Sequence, residues 1–132
     1  MKLKVGLLGG GSWGTTVASL TAKNAETIIW ARSQETVDEI NTKHTNQKYL
    51  PNAKLTPSLV ASNSIQETVE TADVIVLGIP SQNMRKVLEI AKPYIRPWVP
   101  IINLAKGLEI STKMRMTEVI EELMPGHPAG VL

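Results

Sequence analysis

The 132 residues contain no cysteine, which removes both a disulfide framework and a thiolate metal site. Nothing therefore asks for an oxidising compartment, and the cytoplasm is the default location. No apolar run is long enough to span a bilayer, so no membrane partner is expected. Met1 to Leu8 passes straight into glycines, without the small-residue cleavage site of a secretory signal. Neither sign of charge dominates. The 14 Lys and Arg stand against 12 Asp and Glu, give a net +2, and are scattered among the acids, which argues against a nucleic-acid partner. Repeats of solenoid period and low-complexity tracts are also missing.

What is present suits one domain: a hydrophobic share of 42% is enough to fill a core at this length. Lys2–Leu8 is a short apolar run stopped by three glycines and reads as a buried parallel strand. A helix is expected over Trp13–Ala22, ending by Asn24, then a strand at Thr27–Trp30 and a helix through Val37 and Ile40. Thr42–Pro57 has no clear period and reads as a long functional loop. Beyond it come a strand near Leu59–Ala61 and a short helix from a Ser64-to-Glu67 capping box to about Ala72. Asp73–Pro80 is a further buried strand, and Ser81 is expected to cap a helix over Asn83–Ala91. After the proline-rich connection Pro93–Pro100, a fifth strand (Ile101–Asn103) closes at Lys106-Gly107, and a last helix covers Met116–Met124. The strand-helix alternation predicts a parallel sheet with helices on both faces and right-handed crossovers.

Gly9-Gly10-Gly11-Ser12-Trp13-Gly14 carries the spacing Gly9-x-Gly11-x-x-Gly14 between the first strand and first helix, inside a βαβ unit of about 30 residues. In that setting Gly9 allows a tight turn, Gly11 lets backbone amides approach a pyrophosphate, and Gly14 lets the helix pack close to the strand. The helix N-terminus then faces the anion. These features specify an α/β, doubly wound, mostly parallel sheet of the Rossmann type that binds a dinucleotide. The same stretch spells Gly10-x-Ser12-x-Gly14, the nucleophile-elbow pattern. No earlier strand exists to supply an oxyanion loop, His44 lies in a polar loop, and His127 lies in a Pro-Gly tail, so a hydrolase is disfavoured. A phosphate-binding Walker loop fails because Thr15 follows Gly14 where lysine is required. At the end of the second strand, Trp30-Ala31-Arg32-Ser33 lacks the acid that would hold the ribose hydroxyls. Arg32 could form charge-assisted bonds to a 2′-phosphate, so NADP is preferred and NAD remains permitted.

Five segments together resemble NAD(P)-dependent glycerol-3-phosphate dehydrogenase of the bacterial type. They are Gly9–Thr15, Trp30-Ala31-Arg32, Asn46-Gln47-Lys48-Tyr49-Leu50-Pro51, Gly78-Ile79-Pro80-Ser81-Gln82 and Asn103-Leu104-Ala105-Lys106-Gly107-Leu108-Glu109. The Tyr-Leu-Pro and Lys-Gly-Leu-Glu elements are the most discriminating. The resemblance implies reversible reduction of dihydroxyacetone phosphate to sn-glycerol 3-phosphate for phospholipid synthesis, by a cytoplasmic homodimer. It implies that Ser12 and Trp13 line the cofactor turn, Arg32 meets the adenosine end, Tyr49 contacts cofactor from the long loop, and Lys106 sits by nicotinamide and substrate.

Residues 1–132 are expected to be the cofactor-binding domain alone, inactive by itself. The resemblance implies that the family continues past Pro128–Leu132 into an all-helical substrate domain. That domain holds the principal proton-donating lysine and the main phosphate-binding groups, so no catalytic residue is assigned here. Two other readings share the turn and the sheet. A hydroxyacid, ketopantoate or sugar-nucleotide dehydrogenase would lack the Tyr-Leu-Pro and Lys-Gly-Leu-Glu elements. A non-catalytic nucleotide-binding module would have the fold without the chemistry.

Overall fold

The computed structural model describes residues 2–132. Among the described residues six strands, β1 (Lys4–Leu8), β2 (Glu26–Trp30), β3 (Val60–Ser62), β4 (Val74–Leu77), β5 (Ile101–Asn103) and β6 (Ala129–Val131), form one parallel sheet in the order β3-β2-β1-β4-β5-β6. The helices are α1 (Ser12–Thr21), α2 (Gln34–Lys43), α3 (Ile65–Val69), α4 (Met84–Ala91) and α5 (Met116–Leu123). Among the described residues, no helix is long and apolar enough to cross a membrane.

The period-2 alternation of the strands divides the core in two. Leu8, Ile75, Leu77 and Ile101 face α3, α4 and α5, where they bury Val69, Met84, Leu88, Val119 and Ile120. Val5, Leu7, Ile29 and Val76 face the opposite way, onto Val17 and Ala18 of α1 and Val37 and Ile40 of α2. Burial on both faces explains why these strands read as continuous apolar runs. Parallel pairing also brings the carboxyl ends of the strands to one edge. Chain order reverses there between β1 and β4, the switch point where open sheets bind ligands.

Several expectations are corrected. A sixth strand was not foreseen in the Pro-Gly tail: Ile101 N donates to the Pro128 carbonyl (2.8 Å) and Leu132 N to that of Asn103 (3.1 Å). Pairing with β5 thus overrides the weak strand propensity of Gly130. Ser81 does not cap a helix. It opens a 3-10 turn, Ser81–Asn83, and α4 begins at Met84 without a side-chain cap. Only half of the Ser64 capping box forms: Ser64 Oγ accepts from Glu67 N (3.1 Å), while the Glu67 carboxylate accepts from Ser62 Oγ (2.9 Å). Helix α2 runs on through Thr42 and Lys43, so the long loop starts at His44, whose φ of 57° ends the helix in the left-handed region.

Candidate cofactor-binding site

The loops at the switch point enclose a cleft of about 900 Å³. All eight residues singled out from sequence, Gly9, Gly11, Ser12, Trp13, Gly14, Arg32, Tyr49 and Lys106, line it. Four separate loops supply them, from the ends of β1, β2 and β5 and from the segment after α2.

The three glycines of the turn do different jobs. Gly9 has φ 124°, and its N donates to the Trp30 carbonyl (3.1 Å). A Cβ there would strike the Gly78 carbonyl at the end of β4. A Cβ at Gly14 would strike the carbonyl of Gly9, so α1 can lie this close to the turn only with glycine. A Cβ at Gly11 would have no protein atom within 4 Å, because it would project into the cleft. Gly11 is also the N-cap of α1, with no side-chain cap and no acid in the first turn. The first N–H groups of the helix and its positive end are therefore left for an anion. These features fit the pyrophosphate of a dinucleotide.

The long loop is tied to the turn by a buried amide that sequence reasoning did not single out. Asn46 Nδ2 donates to the Gly10 carbonyl and to Thr15 Oγ1, both at 3.1 Å, and Thr15 Oγ1 donates to the same Gly10 carbonyl (3.2 Å). Leu50 N donates to the Asn46 carbonyl (2.7 Å), closing the bend that presents Lys48 and Tyr49. Lys48 Nζ lies 5.3 Å from the centre of the Tyr49 ring, within cation–π range. Asn46 and Thr15 carry no local pattern that announces such a bond. Only the approach of two segments 31 residues apart creates it.

At the end of β2 Arg32 is exposed along the cleft, and Ser33 Oγ accepts from Thr36 N at the start of α2. The stretch is acid-free through Ser33, but Glu35 and Glu39, in the first and second turns of α2, also line the cleft. Glu39 is committed to the loop. Its carboxylate accepts from Thr45 Oγ1 (2.6 Å) and Gln47 N (2.8 Å), and these bonds hold it below the usual carboxylate range. Glu35 shares this end with Arg32, a carboxylate suited to ribose hydroxyls beside a guanidinium suited to a 2′-phosphate.

Trp13 is 53% exposed and stands in the cleft; Trp30 also lines it but packs against the core, and its Nε1–H donates to the Asn63 carbonyl (3.1 Å). Ser12 is the first residue of α1. Neither His44 nor His127 lines the cleft with it, and a His127 ring nitrogen lies 2.8 Å from the Val99 carbonyl. The nucleophile-elbow reading therefore has no base. Lys106, exposed, follows β5 on the far side of the cleft from Arg32's strand, with β1 and β4 between them.

The model of the family described as NAD-dependent glycerol-3-phosphate dehydrogenase N-terminus matches residues 4–132. A glycerol-3-phosphate dehydrogenase (NAD(P)+) of Sphingopyxis alaskensis is 57% identical over all 132 residues, which cover 40% of that protein. One of Mycobacterium avium is 52% identical over 98% of this chain and 38% of its own length. Among solved structures, the glycerol-3-phosphate dehydrogenase of Coxiella burnetii superposes with a TM-score of 0.88 at 29% identity, covering 98% of this chain and 40% of that one. The chain thus spans about 40% of the length of these relatives. With the match running from the first residue of β1 past the end of β6, the chain belongs to the NAD-dependent glycerol-3-phosphate dehydrogenase N-terminus family.

Proposed function

We propose that the cleft binds NADP or NAD, with NADPH preferred, and that the protein reversibly reduces dihydroxyacetone phosphate to sn-glycerol 3-phosphate in the cytoplasm, for phospholipid synthesis. The observation that carries this reading is the convergence of four loops on one cleft beside an uncapped helix N-terminus. When bound, the nicotinamide supplies the hydride that C2 of the ketone receives. The chain's own residues bind and orient. The amides after Gly11 take the pyrophosphate, and Trp13 and Tyr49 supply aromatic walls. Arg32 meets the 2′-phosphate, and the Lys106 ammonium stabilises charge on the substrate oxygen or phosphate. The proton for the new hydroxyl and the main phosphate contacts come, in this proposal, from an all-helical domain beyond residues 1–132. The working form is a homodimer, and residues 1–132 alone bind cofactor without turning over substrate.

Calorimetric titration of the 132-residue chain tests the binding part. A dissociation constant for NADPH below about 1 mM is expected, weaker than in a closed two-domain site because fewer groups bury the ligand. Absence of heat at millimolar NADPH with folded protein would overturn the assignment. In the same assay Arg32→Ala is expected to weaken NADPH about tenfold more than NADH, as for loss of one charge-assisted bond to phosphate. Equal losses for both cofactors would show that Arg32 does not read the 2′-phosphate.

A further inference from the structure

Lys106 rides on an arch of chain that is clamped at both feet by side chains lying outside its own segment or buried beneath it. Upstream, Leu104 N donates to the Leu77 carbonyl (2.9 Å), and the buried Asn103 amide grips Ala105 twice. Asn103 Nδ2 donates to the Ala105 carbonyl and Ala105 N donates to Asn103 Oδ1, each at 2.9 Å. Downstream, Gln82 repeats the device: its Nε2 donates to the Leu108 carbonyl (2.8 Å), and Ile110 N donates to its Oε1 (2.9 Å). Between the Leu108 and Ile110 contacts, the buried Glu109 carboxylate accepts from Arg85 Nε (3.0 Å) and Nη2 (3.1 Å) and from Thr112 Oγ1. The hydrogen bonds from Arg85, and then that from Thr112, lower the Glu109 pKa from the usual carboxylate range. Gly107, at φ 93°, lets the chain turn between the two feet.

Gln82 sits in the 3-10 turn after β4, next to Ser81, which lines the cleft, while Gln82 itself does not. It therefore joins the switch-point strand to the segment carrying the ammonium without occupying ligand space. Glu109 is also held through its backbone, its N donating to the Met114 carbonyl (2.9 Å) and its carbonyl accepting from Lys113 N (2.8 Å), and Gln82 adds the tie from this segment to the turn after β4. Two opposed bonds to one planar amide fix both position and tilt. We infer that Gln82 is a positioning residue for Lys106, setting where its ammonium meets the substrate; this rests on the proposed role of Lys106.

The experiment uses the full-length enzyme carrying Gln82→Ala, Gln82→Glu, Lys106→Ala or Gln82→Ala with Lys106→Ala. Gln82→Ala is expected to lower kcat/KM for dihydroxyacetone phosphate about tenfold or more, as a small misplacement of a reacting group does, with NADPH affinity within about twofold of wild type. Gln82→Glu keeps the acceptor for Ile110 N and loses the donor to Leu108, so its loss is intermediate. On the Lys106→Ala background Gln82→Ala is expected to cost less than about twofold, because the two act as one unit. Hydrogen exchange at the Ile110 amide, faster in Gln82→Ala, reports the freed arch independently of turnover. Wild-type turnover by Gln82→Ala while Lys106→Ala is crippled would overturn the positioning role alone. Equal losses from Gln82→Ala on both backgrounds would also overturn it. Full activity in Lys106→Ala would remove the reading of Lys106 and this inference with it.

Discussion

Lys106→Ala in the full-length enzyme is expected to lower turnover of dihydroxyacetone phosphate by about a hundredfold or more while leaving NADPH affinity nearly unchanged. The separation follows from geometry. The proposed pyrophosphate site is the glycine turn and the N-terminus of α1, to which β5 contributes no group. Lys106 lies across the switch point, after β5, exposed along the cleft, and the backbone on either side of it is tied by Asn103 at Ala105 and by Gln82 at Leu108 and Ile110. A fixed charge next to a carbonyl that is becoming an alkoxide stabilises the transition state more than the ground state, which lowers kcat along with kcat/KM. Steady-state assays with saturating cofactor and a parallel binding titration check both halves. Near wild-type turnover would make Lys106 an ordinary surface lysine and remove the strongest assignment in the substrate half of the cleft.

The glycine turn offers an equally large contrast between two residues only three positions apart. Gly11→Val is expected to abolish measurable NADPH binding, because its side chain would fill space that holds no protein atom within 4 Å of the new Cβ. Its stability cost is that of a poorer N-cap, about 1 kcal/mol or a fall in Tm of about 5 °C. Gly14→Val puts its Cβ on the backbone of Gly9, which cannot move without shifting β1 against β4. That overpacking is expected to cost about 3 kcal/mol or more and to lower Tm by about 15 °C. Thermal melts and titrations of both variants separate a ligand-facing glycine from a packing glycine. Normal binding by Gly11→Val would mean the pyrophosphate does not cross this turn. An unchanged Tm in Gly14→Val would contradict the close seat of α1.

What could be read in advance was whatever is written locally. β1, the glycine spacing, α1 and β2 are contiguous, and a buried strand followed by a turn and an amphipathic helix leaves its signature within about 30 residues. Arg32, Tyr49 and Lys106 entered through short segments; Arg32 and Lys106 meet in one cleft because parallel strands end on one edge, while Tyr49 comes there on the loop after α2 that Asn46 ties to the glycine turn. Contacts that depend on assembly were not legible. β6 is three residues long, includes Gly130 and is recruited by β5 rather than by its own propensity. Ser81 has the composition of a cap, yet the chain leaves β4 through Pro80 into a 3-10 turn, and no free helix N–H comes within its reach. The Asn46–Thr15–Gly10 network and the Gln82 and Asn103 clamps are side-chain amides meeting backbone groups. Any Asn or Gln in a loop offers the same potential bonds, so only the tertiary approach selects these.

The placement of β1 at the centre of the sheet also governs the order in which the molecule can be assembled. Its partnership with β2 joins residues 22 apart, such as Val5 and Thr27, while its partnership with β4 joins Val5 to Val74. The first closure spans one helix. The second spans α2, the long loop, β3 and α3 and closes a longer loop at a higher entropy cost. The wall that Gly78 forms against Gly9, with Gly78 N donating to the Leu8 carbonyl (2.8 Å), belongs to that second closure. A chain in which only the β1-α1-β2 crossover unit has formed has the glycines without the Gly78 side of their cleft. The cleft is complete only when both closures are made, so a ligand that recognises it binds the folded state and stabilises it by mass action.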